Sequence, residues 1–382
     1  MFNKFKSEDF INTNGGITAA EIIQQPQMWR ETVLILEKKL PEITKFMEKC
    51  RRPDLRVCIT GAGSSGFCAD MLAAAINMYL DYKAESPHTT DIVGCIDSVL
   101  FEDAPTLLIS LARSGNSPES VGAVKYARKK VKDLFEICVT CAKNSALAKI
   151  SENNENVLQI VLPDKTCDGG FAMTSSFTSM AVATYGILSY KNFAEYKNNI
   201  EILSSAVENS LDELCFIAQN AIKEKEFDRV AFLGAGVLKG IAHESYVKMC
   251  ELSAGGVNVV YDTPMGFRHG PKSMITDDTF ILHLISNNFL TNKYDMDLIK
   301  ELINHKRENK IISVSGMPLD IDGIDYKVDF NTEFANDFYF AVAATVFSQV
   351  FAFFKSQSMN ITTDNPCPSG EVNRVVQGVT IY

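Results

Sequence analysis

The chain has 382 residues, 46% of them apolar, which is enough for about two domains with separate hydrophobic cores. A formal net charge of −10 argues against a nucleic-acid backbone or an anionic membrane surface as the main partner. An anionic small molecule would have to be held by local donors instead.

Residues 1–50 read as a helical segment. Thr18-Ala-Ala-Glu21 has the spacing of a capping box, Pro26 breaks the pattern, and Trp29, Val33, Leu36, Leu40, Ile43 and Met47 recur on one helical face. The opening run Met1-Phe-Asn-Lys-Phe-Lys-Ser-Glu8 lacks the apolar stretch of a secretion signal, and the ten cysteines are scattered, so reduced thiols and a cytoplasmic location are expected. From Val57 onward short apolar runs alternate with helical ones. The predicted elements are strand 56–60, helix 65–80, strands 92–96 and 106–111, helix 117–131, strands 135–140 and 157–162, and helix 174–190. This order predicts right-handed crossovers and a parallel sheet covered on both faces, with ligands at the carboxyl ends of the strands. A polar helical stretch from about 191 to 226 leads into the second half.

That half repeats the first. Arg56-Val-Cys-Ile-Thr-Gly-Ala-Gly63 recurs as Arg229-Val-Ala-Phe-Leu-Gly-Ala-Gly236, an offset of 234 − 61 = 173 residues. Leu107-Leu-Ile-Ser-Leu111 is matched by Phe280-Ile-Leu-His-Leu284 at the same offset, 280 − 107 = 173. Two matches at one spacing predict duplication of a whole domain. Ala181-Val-Ala-Thr184 and Ala341-Val-Ala-Ala344 are only 341 − 181 = 160 apart, so the first copy holds 13 more residues in between. Part of that excess is assigned to the Gly- and hydroxyl-rich run Thr166–Ser176, a candidate binding loop. The expected organisation is a helical segment at 1–50 and two α/β domains at 51–200 and 201–382. Phe338–Phe354 is almost wholly apolar, but it is shorter than a span of ~20 residues and holds Ser348 and Gln349. A buried core helix is expected there.

Gly61-Ala-Gly-Ser-Ser-Gly66 matches the dinucleotide pattern G-x-G-x-x-G, yet Asp81 has the spacing of a ribose-binding acid without a strand leading into it. A phosphate monoester fits better. Ser64 and Ser65 open a helix, where backbone N–H groups and the dipole attract an anion, and Ala112-Arg-Ser-Gly-Asn-Ser-Pro-Glu119 makes a second such loop after the next strand. The second copy has Val237, Leu238 and Ile285-Ser-Asn-Asn288 at these places, so its pocket is expected to be lost. The plainer alternative is that the serines only cap helices. Cys138-Val-Thr-Cys141 lies in a strand-like run with no second pair, so no metal site is assigned. Glu244, Lys248 and Glu251 fall at i, i+4 and i+7 and share a helix face over 241–254, either as acid–base groups or as an ordinary ion-pair stripe. His269, in the loop between Gly266 and Pro271, is the candidate for a placed imidazole, whereas His243 and His283 are assigned structural roles.

Together Gly63-Ser-Ser65, Arg113-Ser-Gly-Asn-Ser-Pro-Glu119, Met173-Thr-Ser-Ser-Phe-Thr178 and Gly266-Phe-Arg-His-Gly-Pro-Lys272 resemble the double sugar-isomerase (SIS) domain proteins over nearly all of residues 40–382. Within them the run Cys167–Thr178 is similar to the tagatose-6-phosphate ketose/aldose isomerase family, also described as galactosamine-6-phosphate deaminase/isomerase. The isomerase half of glucosamine-6-phosphate synthase is a more distant relative. The resemblance implies two tandem SIS domains, each a flavodoxin-like parallel-sheet αβα sandwich, behind the helical segment. It implies that Ser65, Ser114 and Ser117 hold the sugar phosphate, with Ser64 and Arg113 as further phosphate candidates on the same loops, and that Glu251 shuttles a proton between C1 and C2 beside Lys248 and Glu244. It gives His269 the ring-opening step from a neighbouring subunit, hence a homodimer or higher oligomer with shared sites. Thr174, Ser175, Arg268 and Gln377 are the remaining sugar-contacting candidates. Gln377 replaces a lysine of the synthase tail, which points away from aminotransfer, and no glutaminase domain is expected ahead of the repeat. The expected activity is conversion of an amino-hexose 6-phosphate, galactosamine 6-phosphate foremost, to the ketose and ammonia without metal or redox cofactor. Plain aldose/ketose isomerisation and non-catalytic sugar-phosphate sensing are the alternatives.

Overall fold

Each half of the sequence folds into a five-stranded, wholly parallel sheet. The structure, a computed structural model, describes residues 4–152, 154–376 and 378–382. Two helices come first, α1 (Gly16–Ile23) and α2 (Gln25–Cys50). The first copy then runs β1 (Arg56–Thr60), α3 (Ser64–Tyr79), β2 (Lys83–Glu85), α4 (Thr89–Cys95), β3 (Thr106–Ala112), α5 (Pro118–Lys130), β4 (Leu134–Thr140), α6 (Ala146–Ile150), β5 (Val157–Val161) and α7 (Ser175–Leu188). A long helix, α8 (Phe193–Glu224), leads to β6 (Arg229–Leu233), α9 (Val237–Leu252), β7 (Asn258–Asp262), α10 (Pro264–Phe267), β8 (Thr279–Leu284), α11 (Phe289–Asn304), β9 (Lys310–Ser315), β10 (Tyr326–Asp329) and α12 (Asp337–Ser358).

The sheets have the orders β2-β1-β3-β4-β5 and β7-β6-β8-β9-β10, so the duplication is complete at the level of topology. It extends to register: Arg56 faces Thr106 in one sheet and Arg229 faces Thr279 in the other. In both orders the direction of winding reverses between the first and third strands of the copy, the place where open α/β sheets bind ligands. The central strand β3 is buried at all seven positions, as a parallel strand covered on both faces must be. The larger size of the first copy divides between two connections. Residues 162–174 precede α7 where only 330–336 precede α12, and residues 141–156, including α6, join β4 to β5 where only 316–325 join β9 to β10.

The chain divides into two units. One comprises Gln27–Asp168, Ser175–Ile200 and Ser369–Tyr382 and holds the β1–β5 sheet; the other comprises Met1–Pro26, Gly169–Thr174 and Glu201–Pro368 and holds the β6–β10 sheet. The divisions expected at 50/51 and 200/201 follow the sequence repeat, whereas packing groups α1 with the second sheet and the C-terminal tail with the first. In the second unit α12 is the helix long and apolar enough to cross a membrane, and its apolar window is wholly buried in the protein. It packs on α9, and Ser245 Oγ lies 2.8 Å from Ser348 Oγ across that contact.

Three local expectations are corrected. The strand expected at 92–96 is α4 followed by a 3-10 turn at Ile96–Ser98, and the strand is Lys83–Glu85. Ile92 is buried among Leu100, Leu108 and Ala123 from a helix face, while β2 is an edge strand with only Ala84 buried and so carries no apolar run. The helix expected at 241–254 begins earlier, at Val237, and ends at Leu252. Thr18 and Glu21 form no capping box, because α1 starts at Gly16 and Thr18 is already inside it. Asp364 caps α1 instead, accepting from the backbone N–H groups of Ile17 (3.1 Å) and Thr18 (2.8 Å) and from Thr18 Oγ1 (2.7 Å).

Candidate active site

In the first unit Gly63 stands just ahead of α3 at φ +53° and ψ −130°, and in the second unit Gly236 stands ahead of α9 at φ +58° and ψ −123°. Both need a residue without a Cβ, and the shared conformation brings each chain from strand to helix in the same way. Ser64 and Ser65 are then the first two residues of α3, and the N-cap position itself is Gly63, which has no side chain to cap the helix. Capping does describe Ser117, whose Oγ accepts from the Ser120 N–H at 3.4 Å and lies 2.7 Å from Ser120 Oγ. Between β3 and α5 the loop is held by Asn116 Oδ1, which accepts from the Ala146 N–H at 2.9 Å, and by Gly115 O, which accepts from Leu147 N–H at 2.9 Å. Ser114 and Ser117 are half-buried on this loop and Arg113 is 7% exposed. Two helix starts, four hydroxyls and one guanidinium at the ends of β1 and β3 form a donor set suited to a phosphate ester.

Beneath the first loop His88 packs against Gly66, and its Nε2 lies 3.2 Å from Asp70 Oδ1. The hydrogen bond to Asp70 raises the imidazole pKa above its ordinary value, with burial opposing. The acid at the end of β2 is Glu85, not Asp81, and Arg56 Nη2 takes it at 2.7 Å. A ribose-binding acid is thus already engaged. Cys138 and Cys141 are free and buried; burial pushes the Cys138 thiol up to about 12 and the Cys141 thiol higher, so neither is a ready thiolate. Among the described residues no three His, Cys, Asp or Glu side chains converge as a metal-ligand set.

The Gly-rich run carries the carboxylate that sequence reasoning missed. Asp168, fully buried, accepts from the backbone N–H groups of Ser175 (3.1 Å) and Ser176 (2.9 Å) and from Ser176 Oγ (2.5 Å), so it caps α7 from seven residues away. The tail closes on this loop within the same unit: Arg374 Nη2 donates to the Asp168 carbonyl, and Arg113 Nη2 donates to the Arg374 carbonyl at 2.6 Å. Asp168 stood in the sequence immediately before Gly169-Gly170, and an acid ahead of a glycine pair was the available signal. Ser175 is the first residue of α7 and is buried. Thr174, grouped with the second unit, is also buried, and its carbonyl accepts from Gln349 Nε2 at 3.5 Å. In that unit Glu21, the other half of the expected capping box, accepts from the N–H groups of Gly169 (2.6 Å) and Gly170 (3.2 Å). Gln377 lies outside the described residues.

In the second unit α9 brings Glu244, Lys248 and Glu251 together. Lys248 Nζ is 3.4 Å from Glu244 Oε1 and also pairs with Glu251. Both Lys248 and Glu244 are 1% exposed, while Glu251 is 27% exposed. A surface stripe would leave all three in water; here a buried ammonium is fixed beside a single reachable carboxylate. Such a carboxylate can take and return a proton on carbon while the ammonium holds its charge. His269 is exposed, makes no hydrogen bond through its ring among the described residues, and has its backbone N–H on Gly266 O at 2.8 Å. Arg268 beside it is committed to α11, with Nε on Glu301 at 2.8 Å and Nη2 on Asp297 at 3.0 Å. His283 is structural, buried with Nε2 3.3 Å from Asp295, and His243 stacks on Tyr261 at 4.0 Å between ring centroids.

The second copy fills its own loop. Where the first copy has Arg113 and Ser114, Ser286 and Asn287 give their N–H groups to Asp295 (2.9 Å) and Asp337 (2.7 Å), and Ser286 Oγ also donates to Asp337. Burial raises the Asp337 carboxyl pKa, and the hydrogen bonds of Ser286 and Asn287 oppose that rise. Internal carboxylates take the donors, which accounts physically for the expected loss of this pocket.

The SIS domain family matches residues 51–189 of the chain. D-galactosamine-6-phosphate deaminase AgaS of Shewanella sp. (strain ANA-3) is 37% identical over 368 residues, which cover 96% of this chain and 91% of that protein. The protein of the same name from Escherichia coli is 34% identical over 374 residues, 96% of each. Among solved structures, tagatose-6-phosphate ketose/aldose isomerase from Escherichia coli superposes with a TM-score of 0.87 at 31% identity, covering 96% of each chain. A protein of Clostridium novyi NT superposes with a TM-score of 0.94 at 38% identity, covering 98% of this chain and 97% of that one.

Proposed function

The chain belongs to the D-galactosamine-6-phosphate deaminase AgaS family of SIS-domain proteins, and from that membership we propose that it converts galactosamine 6-phosphate and water to tagatose 6-phosphate and ammonia. The observation that carries this reading is Lys248, buried between Glu244 and Glu251 with Glu251 alone reachable. In this mechanism the serine loops and Arg113 hold the phosphate ester. His269 moves the anomeric proton as the ring opens. The Glu251 carboxylate takes the proton from C2 and returns it to C1, so the C2 amine becomes an imine. Water adds to that imine, the C–N bond breaks, and ammonia leaves the ketose. Hydrogen bonds stabilise the enolamine on the way.

On the same reading residues 51–200 and 201–382 are the two SIS domains, with a helical segment at 1–50. Thr174, Ser175, Glu244, Arg268 and Gln377 are the proposed sugar contacts. The ten free cysteines support a reducing, cytoplasmic setting, and an exposed His269 whose ring makes no hydrogen bond among the described residues supports a homodimer that shares sites. Isomerisation of an aldohexose 6-phosphate without loss of nitrogen uses the same groups and is the second reading, favoured by the similarity to the tagatose-6-phosphate isomerase. Purified protein incubated with galactosamine 6-phosphate should release ammonia and ketose in equal amounts. Ketose from an aldohexose 6-phosphate with no ammonia from the amino sugar would replace deamination by isomerisation.

A further inference from the structure

We propose that Glu301 is a positioning residue for the reaction: its carboxylate grips the loop on both sides of His269 and holds the imidazole where ring opening needs it. The proposal rests on the reading of His269 given above. Arg268 Nε donates to Glu301 Oε2 at 2.8 Å, and Lys272 pairs with the other oxygen, Oε1. One carboxylate on α11 thus holds the residue just before the imidazole and the residue three positions after it. Lys272 and then Arg268 hold the Glu301 carboxyl below the ordinary carboxylate range, so the grip is an ionic one.

The rest of the loop is built for the same end. Phe267 is fully buried in the core with Leu298 and Leu302 of α11. After His269 the chain reverses through Gly270 at φ +131°, which only glycine adopts without strain, and continues into a 3-10 turn at Pro271–Met274. Between the Phe267 anchor and the Lys272 tie, His269 and Gly270 are exposed. An exposed side chain on a loop tied at both ends has few positions to sample, and pre-organisation of that kind lowers an activation barrier without adding a contact to the substrate.

The test is a double-mutant cycle with Glu301→Gln, His269→Asn and the pair, scored by kcat, KM and thermal midpoint on the full chain. The expected result is that Glu301→Gln lowers kcat about ten- to a hundredfold, changes KM about twofold or less, and has less than a twofold further effect in the His269→Asn background. If Glu301→Gln multiplies the His269→Asn loss by its full factor, or leaves kcat at the wild-type value, the positioning role is wrong while His269 keeps its own. If His269→Asn alone is silent, the reading of His269 falls and takes this inference with it. Should Glu301→Gln not fold, Lys272→Gln releases one side only and is held to the same outcomes.

Discussion

Arg113 and Arg374 are joined by a 2.6 Å hydrogen bond from the guanidinium of the first to the backbone carbonyl of the second, which ties the end of β3 to the C-terminal tail. Arg374 passes the tie on to the Asp168 carbonyl. The loop after β3, the Gly-rich loop and the tail therefore form one connected set, in which Arg113, proposed above as an anion donor, is the tail anchor.

Replacing Arg113 by Lys keeps the charge but loses the planar fork. KM for a hexose 6-phosphate should rise about tenfold or more, and the tail should be trimmed faster by a dilute protease. Steady-state kinetics and a proteolysis time course measure the two effects together. An unchanged KM would remove Arg113 from the anion site.

Glu251→Gln should abolish turnover and leave sugar-phosphate affinity within about threefold, because the amide cannot carry the proton but fills the same space. Lys248→Met behaves differently. It strands Glu244 as a buried carboxylate without its cation and should cost about 3 to 5 kcal/mol in stability as well as activity. Denaturant midpoints beside kcat separate the two.

Asp168→Ala leaves the Ser175 and Ser176 N–H groups and the Ser176 hydroxyl without their acceptor at the start of a fully buried helix. A loss of about 3 kcal/mol is expected, with Asp168→Asn recovering part of it. A shift in urea midpoint too small to measure would mean that the loop supplies another acceptor.

His88 gives a pH signature. Its folded pKa lies above the unfolded value of 6.5, so the stabilisation from its pairing with Asp70 is complete below 6.5 and is lost as pH rises through the folded pKa. Wild type should therefore exceed His88→Phe in urea midpoint most clearly near about pH 6, and the gap should close towards about pH 9. A gap constant across that range would assign His88 to packing against Gly66 alone.

Much of the fold was legible because its signals are local. The run from Arg56 to Gly63 and its copy encode a buried strand and a glycine turn within eight residues, and the structure repeats them to within a few degrees of φ. The row of Glu244, Lys248 and Glu251 was legible for the same reason, helical spacing. What escaped was decided by partners far away in sequence. Thr18 and Glu21 look like a capping box until Asp364 and the Gly169-Gly170 backbone claim them, and no short window contains those partners. The edge strand β2 has almost no apolar content to show, and the Ile92-Val93 pair imitates a strand although it lies on a helix. The α11 carboxylates that hold Arg268 lie some thirty residues on and could not be read from its neighbours in the chain.

The acids that close off the loop after β8 have a thermodynamic corollary. A lobe whose loop donors are satisfied by its own Asp295 and Asp337 should gain no stability from added solute, whereas, on the function proposed above, the lobe with Ser64, Ser65, Arg113 and Ser117 should draw added stability from mass action with the phosphorylated sugar. Amide exchange would slow on saturation at the starts of α3 and α5 and stay unchanged at the start of α11. One polypeptide would then carry a nutrient-responsive half and a constitutive half.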